Sequence, residues 1–315
     1  MRSYFILAQD TDPVVHLGLC CINNELRKRN IFCSRTLISR YYTKEKAATL
    51  ASANLKDLVT LLEWNAANNI HLYRLSSDMF PRITDNTLDI SDRLNVCDFA
   101  GLLHEAGKVA RATNQRITMH PGQYNQIGAK DPNVFEKTVE DLTVHAEILD
   151  CMGMDNEAIL TIHGGGVYGD KESTIRRWID QFDDLPRPVK NRIAIENCER
   201  QYSIEDCLEI ADACKIPVIF DSHHFDCYNQ INGTDFVASH YIPHVLETWW
   251  DRTMVTHISE QKQGARIGAH SDFIETIPDY FLSVPTLYGR SIHIEVEAKA
   301  KEAAIKKLQQ KYSIN

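Results

Sequence analysis

Short runs of apolar and β-branched residues recur along this chain and alternate with longer amphipathic stretches. Eight of the runs have the length and composition of buried strands. They lie at residues 17–21, 71–76, 116–120, 159–163, 192–196, 217–221, 254–258 and 291–297. Helical periodicity occupies residues 44–68, 134–152, 203–214, 235–250 and 298–311. Ser203 and Asp206 resemble a capping box at the start of the third of these helices.

Eight alternations of strand and helix predict an α/β fold, a single (β/α)8 TIM barrel. A doubly wound open sheet is the alternative, but no G-x-G-x-x-G or Walker A sequence follows any predicted strand. No low-complexity linker divides the chain. We therefore expect residues 1–16 to be an N-terminal extension and residues 17–315 to form one barrel domain.

The composition is that of an ordinary globular protein, with 43% hydrophobic and 24% charged residues. No apolar run approaches the roughly 20 residues that span a bilayer, and the nine cysteines include no C-x-x-C pair. We expect a soluble intracellular monomer with reduced thiols. The net charge of −9 argues against a protein that coats DNA through one positive field. Divalent cations in an acidic site could still hold phosphate.

Histidine, aspartate or glutamate stands at the ends of six consecutive predicted strands. These residues are His120, His163, Glu196, Asp221, His257 and Glu297, and three further histidines, His223, His224 and His270, follow closely in sequence. Because the carboxyl ends of TIM-barrel strands meet at one face, these side chains should lie together there. A lone histidine in such a place is commonly a satisfied core group. Polar ends on six strands in a row would be costly without a shared partner, so the pattern predicts a metal centre.

The predicted ligands are imidazoles and carboxylates, without thiolate. This set favours Zn²⁺, Mn²⁺, Fe²⁺ or Co²⁺ over Mg²⁺ or Ca²⁺. The ligands are too numerous for one ion, so we expect two or three divalent metal ions, with Mn²⁺ first and Zn²⁺ or Co²⁺ as alternatives. Closely spaced ions of this kind support in-line displacement at phosphorus, and Glu196 is a candidate bridge between two of them.

Short motifs accompany these residues, and their shared order and spacing is specific. They include LGLC at 17–20 with Asn23, YRLSSD at 73–78 with Pro81, MHPGQY at 119–124, IHGGG at 162–166, IEN at 195–197, DSHH at 221–224, GAH at 268–270 and EAK at 297–299. Over residues 17–306 the chain resembles the UV damage endonuclease family. Members of that family are related in fold and metal chemistry to endonuclease IV and to xylose isomerase-like barrels.

The resemblance implies a DNA repair endonuclease that nicks damaged double-stranded DNA immediately 5′ to UV lesions, by metal-activated hydrolysis. The lesions are cyclobutane pyrimidine dimers and 6-4 photoproducts. The implied metal ligands are His120, His163, Glu196, Asp221, His224, His257, His270 and Glu297, of which Glu196, Glu297 and His257 are also assigned to catalysis. Gln123 and Tyr124 match the residues that enter the duplex at the lesion, where a damaged dinucleotide is easier to flip out than normal bases.

Three positions depart from the family pattern. Asp85 stands where relatives carry a histidine near the metals, and an aspartate can still bind a hard divalent ion. Val255 occupies a position where a lysine is common, so a role for that lysine cannot be transferred. Leu19 replaces an aromatic residue found in some relatives, so lesion packing on that side should differ.

Basic residues beside the predicted barrel mouth are candidates for phosphate contacts. Arg35, Arg40 and Lys44 follow the first strand, and Lys262 and Arg266 follow the seventh. We select Arg35 and Lys262, together with Asn23 of the first motif, as DNA-binding residues. Ordinary solvated loop charges would give the same sequence pattern.

Other functions fit similar barrels. An apurinic/apyrimidinic endonuclease of the endonuclease IV type would share the ligands, but Gln123, Tyr124 and the RLSSD segment favour UV lesions. A metal-dependent sugar isomerase needs a proton-shuttling pair over a small pocket and no DNA groove. A metal-dependent binding scaffold is the non-enzymatic alternative, and open metal clusters are seldom purely structural.

Overall fold

A computed structural model describes residues 12–314, in which eight parallel strands close into a barrel in the order of the sequence. The strands are β1 (Val15–Cys20), β2 (Leu72–Leu75), β3 (Arg116–Met119), β4 (Leu160–His163), β5 (Ile193–Glu196), β6 (Val218–Asp221), β7 (Met254–Ile258) and β8 (Ile292–Val296). The barrel closes where β8 pairs with β1, from Val15↔Ile292 to Leu19↔Val296. The predicted (β/α)8 barrel is confirmed.

The segments between the strands are mainly helical. Within residues 12–314 the α-helices are α1 (Asn24–Lys28), α2 (Lys44–Ala67), α3 (Ala100–Ala112), α4 (Pro132–Cys151), α5 (Lys171–Phe182), α6 (Arg187–Lys190), α7 (Ile204–Cys214), α8 (Ser222–Asn232), α9 (Ala238–Glu247), α10 (Asp279–Leu282), α11 (Val284–Tyr288) and α12 (Glu302–Tyr312). Single turns of 3-10 helix occupy Ser39–Tyr41, Ser77–Met79, Ile90–Asp92 and Val96–Phe99. Among the described helices, none combines the length and apolarity that a membrane crossing requires.

All eight predicted strands are present. The fit is best for β7, which has the predicted bounds, whereas β1 begins at Val15 rather than at residue 17. Most of residues 1–16 lie outside the described part of the chain, so the proposed N-terminal extension stays a prediction.

The five predicted helices are also present, as α2, α4, α7, α9 and α12. The capping box of α7 is confirmed. Ser203 Oγ accepts a hydrogen bond from the Asp206 backbone N–H at 3.1 Å, and the Asp206 carboxylate accepts one from the Ser203 backbone N–H at 2.7 Å. Helix α12 begins at Glu302 rather than at residue 298. Helices α3, α5 and α8 were not predicted, and α8 places His223 and His224 in its first turn, directly after β6.

The helices bury an apolar face against the barrel. In α2 this face contains Leu55, Leu58 and Leu62, all at 0% exposure, as the 3.6-residue spacing predicts. Full burial of each such side chain stabilises the fold by about 1.5–3 kcal/mol. This outer core supports the strands whose carboxyl ends carry the site.

The amino end of the barrel is tied together by one long side chain. Arg116 of β3 donates to the carbonyl oxygen of Thr253, directly before β7, at 2.6 Å, and to that of Glu157 at 2.7 Å. Strands β3 and β7 lie on opposite sides of the barrel. The contact therefore spans the barrel end opposite to the one at which the polar strand-end residues gather.

Candidate metal centre

Glu196, the last residue of β5, lies among four histidines. The side chain is 1% exposed. Its Oε2 atom lies 2.9 Å from His120 Nε2 and 3.6 Å from His163 Nε2. Its Oε1 atom lies 3.0 Å from His257 Nδ1 and 3.3 Å from His224 Nδ1. Four histidines from four separate segments are thus brought to one carboxylate.

Two further carboxylates complete the inner part of the cluster. Asp221 Oδ2 lies 3.8 Å from His224 Nδ1 and 4.0 Å from His257 Nδ1. The other oxygen of Asp221 accepts the His224 backbone amide at 2.7 Å, so this aspartate also caps α8. Glu297, which directly follows β8, places Oε1 3.6 Å from His257 Nδ1. His257 Nδ1 therefore faces all three carboxylates.

His270 joins the cluster from the loop after β7. Its Nδ1 atom lies 3.6 Å from Glu297 Oε2 and 3.0 Å from the Glu297 carbonyl oxygen. With this residue, eight of the nine predicted metal ligands gather at the carboxyl end of the barrel. Asp85 is the ninth, and its contacts are described below.

Burial and neighbouring charges set the ionisation of the cluster. Burial alone would raise the pKa of Glu196, but His163 and His257 outweigh it and hold that pKa well below the usual range. Burial raises the pKa of Asp221 despite the nearby His224. Burial also lowers the pKa of His163 to about 4, which favours the neutral ring, the form that offers a lone pair to a cation.

The side chains present fit divalent cations. Asp221 is fully buried, and its Oδ2 atom receives no hydrogen bond from any residue in 12–314. Leaving a carboxylate oxygen buried and unpaired is costly. Two groups of three side chains each offer ligand atoms within 4.8 Å of one another, namely His120–His163–Glu196 and Glu196–Asp221–His224. A cation held by the second group, which includes Asp221, would compensate the oxygen that lacks a hydrogen bond.

A buried polar network beneath the cluster was missed by the sequence analysis. Glu295 of β8 is 0% exposed and forms an ion pair with Arg74 at 3.1 Å. It also accepts hydrogen bonds from the Thr118 hydroxyl and from the Cys20 thiol, the latter at 3.9 Å. Arg74 also bonds Glu297. Cys20, Glu295 and Glu297 lie close enough to suggest another cation site, but the Arg74 guanidinium already supplies positive charge there.

Two sequence signals could have pointed to this network. Glu295 and Glu297 are two residues apart, so they share one face of the strand. Arg74 and Ser77 belong to the YRLSSD motif, and Ser77 donates to the His120 carbonyl oxygen at 3.1 Å. The motif therefore contacts two predicted ligands, His120 from the turn after β2 and Glu297 from β2 itself.

Asp85 is held by local contacts. Its carboxylate pairs with Arg82 and accepts hydrogen bonds from the Thr87 amide at 3.0 Å and the Thr87 hydroxyl at 2.8 Å. These contacts do not include the histidines or carboxylates of the cluster. Metal binding by Asp85 stays a prediction.

Two of the predicted DNA-binding residues have structural contacts. Arg35 pairs with Asp57 at 2.6 Å and packs 4.1 Å from the Phe32 ring centroid, with only 15% of its side chain exposed. Asn23 is 1% exposed and accepts the Leu26 amide at 2.9 Å as the N-cap of α1. DNA contacts by these residues stay predictions, and their described contacts give each a role in the fold.

The other three predicted DNA-binding residues are exposed. Gln123 and Tyr124 lie in the loop between β3 and α4, three and four residues after the strand end, and Tyr124 is 62% exposed. Asn125 Nδ2 donates a hydrogen bond to Asp141 Oδ2 at 2.8 Å, which connects this loop to α4. A Cβ atom on Gly122 would lie 2.3 Å from Tyr124 Cε1, so only glycine allows this ring position. Lys262 is exposed in the loop after β7.

Comparison with known proteins agrees with this geometry. Residues 15–315 match the family model described as UV-endonuclease UvdE. The chain is 32% identical over 309 residues to a putative UV-damage endonuclease of Acanthamoeba polyphaga mimivirus, covering 95% of this chain and 92% of that protein. It is 34% identical over 319 residues to the UV-damage endonuclease of Schizosaccharomyces pombe, covering 95% of this chain but 51% of the yeast protein.

Solved structures share the fold. The crystal structure of SacUVDE superimposes with a TM-score of 0.83 at 27% identity, covering 96% of this chain and 100% of that one. Endonuclease IV from Thermus thermophilus shares the fold, with a TM-score of 0.54, 13% identity and coverage of 96% and 99%. The match over nearly all described residues, together with the strand-end cluster, shows that this chain belongs to the UvdE family of UV-damage endonucleases.

Proposed function

We propose that this protein nicks the backbone of double-stranded DNA immediately 5′ to UV lesions, namely cyclobutane pyrimidine dimers and 6-4 photoproducts, with the help of divalent metal ions. The observation that carries the proposal is the buried Asp221 oxygen, which receives no hydrogen bond from residues 12–314 and lies within a cluster of imidazoles and carboxylates. Such a cluster is suited to metal-assisted chemistry at a phosphodiester. The relatives named above are UV-damage endonucleases, which supports DNA as the substrate.

Eight residues would hold the ions: His120, His163, Glu196, Asp221, His224, His257, His270 and Glu297. When bound, divalent cations lower the pKa of water to about 7 and offset the charge of the phosphate. Glu196 would present two anionic oxygens at neutral pH, because its pKa is held well below the usual range. Glu196, Glu297 and His257 are the residues to which we assign catalysis. We expect Mn²⁺, with Zn²⁺ or Co²⁺ as alternatives.

Lesion recognition is proposed for Gln123 and Tyr124. They follow His120, so one loop would carry both a metal ligand and the residues that enter the duplex. The exposed Tyr124 ring can stack on a base or fill the space that a flipped dinucleotide leaves. A short connection of this kind would hold the phosphate beside the lesion near the metal centre.

The function is tested by incubating the protein and Mn²⁺ with three matched duplexes, which carry a defined cyclobutane dimer, an abasic site or no damage. We expect a cut at the first phosphodiester 5′ to the dimer, leaving a 3′-hydroxyl and a 5′-phosphate. Mapping both ends at single-nucleotide resolution checks this expectation. Preferential cutting of the abasic duplex would favour an endonuclease IV-type activity, and the absence of cutting on all three would overturn the proposal.

Tyr124→Ala is expected to reduce incision of the dimer-containing duplex by about tenfold to a hundredfold, because stacking of a ring on a base contributes about 1–3 kcal/mol. Gln123→Ala should act in the same direction. Metal content should stay at the parental level, since neither side chain contacts the cluster. Incision rates and bound metal would be measured together.

The matched control for this change is Tyr288→Ala. Tyr288 is 40% exposed and ends α11, which precedes β8 and so lies toward the amino end of the barrel. We expect parental incision from this variant. Parental rates from both Tyr124→Ala and Gln123→Ala would contradict the assignment of lesion recognition to this loop.

Lys262→Ala is expected to weaken binding to damaged and undamaged duplexes by a similar factor. A phosphate contact releases counterions, so its loss should reduce the slope of log affinity against log salt by about one. Fluorescence anisotropy between 50 and 200 mM salt, a range over which phosphate contacts have a marked effect, would measure this slope. The control is Lys215→Ala, since Lys215 is an exposed lysine between α7 and β6. An unchanged salt slope in Lys262→Ala would exclude a contact between Lys262 and a DNA phosphate.

A further inference from the structure

The two ring nitrogens of His257 lie in different surroundings. Nδ1 faces the candidate metal centre, 3.0 Å from Glu196 Oε1 and 3.6 Å from Glu297 Oε1. Nε2 points away from the centre and lies 3.0 Å from Glu295 Oε2. His257 and Glu295 are both 0% exposed. The contact is a close charge pair rather than a hydrogen bond, and this buried nitrogen has no hydrogen-bond partner among residues 12–314.

Glu295 is itself fixed in place by other strands. Its Oε1 atom accepts the Thr118 hydroxyl from β3, and its Oε2 atom is 3.1 Å from Arg74 Nη1 of β2. Since β3 and β8 are not neighbours in the barrel, these side chains meet within its interior. TIM-barrel interiors are usually filled by bulky apolar side chains. A fully buried carboxylate there is costly unless it is paired, and Arg74 provides that pairing.

A histidine that binds a metal must offer a lone pair on one nitrogen and carry its proton on the other. An acceptor beside the second nitrogen selects this tautomer and orients the ring. In the present structure the carboxylate on the far side of His257 belongs to Glu295, and Arg74 connects Glu295 to the candidate ligand Glu297.

We propose that Glu295 is a positioning residue that keeps the His257 Nε2 atom protonated and the Nδ1 lone pair directed at the metal. Arg74 compensates the Glu295 charge and holds Glu297 beside it. Glu295 does not bind the metal or the DNA in this arrangement, so it acts through His257. The inference rests on the proposed metal centre.

The competing interpretation is a purely structural ion pair between Arg74 and Glu295. Both interpretations predict some loss of stability when Glu295 is changed. They differ in the metal affinity of the folded protein, since a structural pair has no reason to alter the ligand field of the bound ion. Co²⁺ is a suitable probe because its visible absorption reports the geometry of its ligands.

The test is a Co²⁺ titration of the metal-free chain of residues 1–315 and three variants of it, with folding checked by circular dichroism. Glu295→Gln keeps the shape of the side chain but removes the charge. We expect it to bind Co²⁺ about 10- to 100-fold more weakly, the usual effect of removing a partner behind a metal-bound histidine, and to shift the absorption bands. Glu302→Gln is the matched control and should bind with parental affinity.

Glu302 suits this purpose because it is also a buried glutamate that accepts hydrogen bonds. It is 5% exposed and accepts the Asn24 amide at 2.7 Å and the Glu25 amide at 2.9 Å. It has no described contact with the cluster. An equal loss of Co²⁺ affinity in Glu302→Gln and Glu295→Gln would show a general packing effect and overturn the proposal.

Thr118→Val keeps the experiment decisive if Glu295→Gln does not fold. This variant removes one hydrogen bond to Glu295 and leaves all charges in place. We expect it to weaken Co²⁺ binding by roughly threefold to tenfold, the equilibrium equivalent of one such hydrogen bond. Parental Co²⁺ affinity and spectrum in a folded Glu295→Gln, or in Thr118→Val if the former is unfolded, would overturn the inference while leaving the metal centre intact. A parent protein that binds no Co²⁺ would overturn both.

Discussion

Replacing Glu196 by glutamine is expected to abolish incision while the fold persists. Four imidazole nitrogens lie within 3.6 Å of this carboxylate, on both of its oxygens. Glutamine has nearly the same shape, but its amide NH₂ would face ring nitrogens and would offer no lone pair to a cation. Breaking a buried charged arrangement by removing one partner costs about 3–5 kcal/mol. If that loss falls on the metal-bound state, it corresponds to about a hundredfold to ten-thousandfold in rate or affinity.

The measurement compares the parent, Glu196→Gln and Glu302→Gln. Metal content, thermal unfolding and incision of a dimer-containing duplex would be recorded for each protein. The control should retain metal and incision, because Glu302 contacts the start of α1 and not the cluster. Parental incision by Glu196→Gln would show that the cluster is not the catalytic centre.

Removal of divalent metal is expected to reduce incision to background, and addition of Mn²⁺ should restore it. The buried Asp221 oxygen has no donor among the described residues, so a bound cation would supply the missing compensation. Metal binding should also stabilise the fold. A ligand present at 100 times its dissociation constant and bound only by the native state adds about 2.7 kcal/mol.

The protein would be chelated exhaustively, dialysed and divided between buffers with Mn²⁺, Zn²⁺, Co²⁺, Mg²⁺ or Ca²⁺. Incision and melting temperature would be measured in each portion. The imidazole-rich ligand set predicts that the first three ions restore activity better than the last two. Undiminished incision after exhaustive chelation would overturn the metal mechanism, whatever the effect on melting.

The strands could be predicted from sequence because each is a short, nearly continuous run of buried apolar residues. Strand β7 is the clearest case, with a run that begins and ends as predicted and is buried throughout. Helix α2 was equally clear, because its leucines repeat with helical spacing over many turns. Helix α8 was missed because its first turn contains Ser222, His223 and His224, which have no helical pattern and belong to the site.

Most of the candidate site followed from one topological rule. Parallel strands of a closed barrel end at the same face, so polar residues at the strand ends could be expected to meet there. These residues are His120, His163, Glu196, Asp221 and those that follow them. Glu295 and Arg74 could not be found in this way, since they lie within strands. Their importance depends on Thr118, which reaches Glu295 across the barrel interior from β3, and on His257, which lies beside Glu295 on the neighbouring strand β7.

Local sequence therefore determined the eight strands, five of the amphipathic helices and the end of the barrel at which the polar residues gather, because each depends on short-range periodicity or on strand direction. Tertiary structure alone decided what each polar side chain contacts. Arg35 and Lys262 carry the same charge in similar loops, yet Arg35 pairs with Asp57 and Lys262 remains exposed. Likewise, Glu295 is buried against His257, whereas Asp85 bonds to Arg82. A charge takes its role from neighbours distant in sequence, and only the folded chain brings those neighbours together.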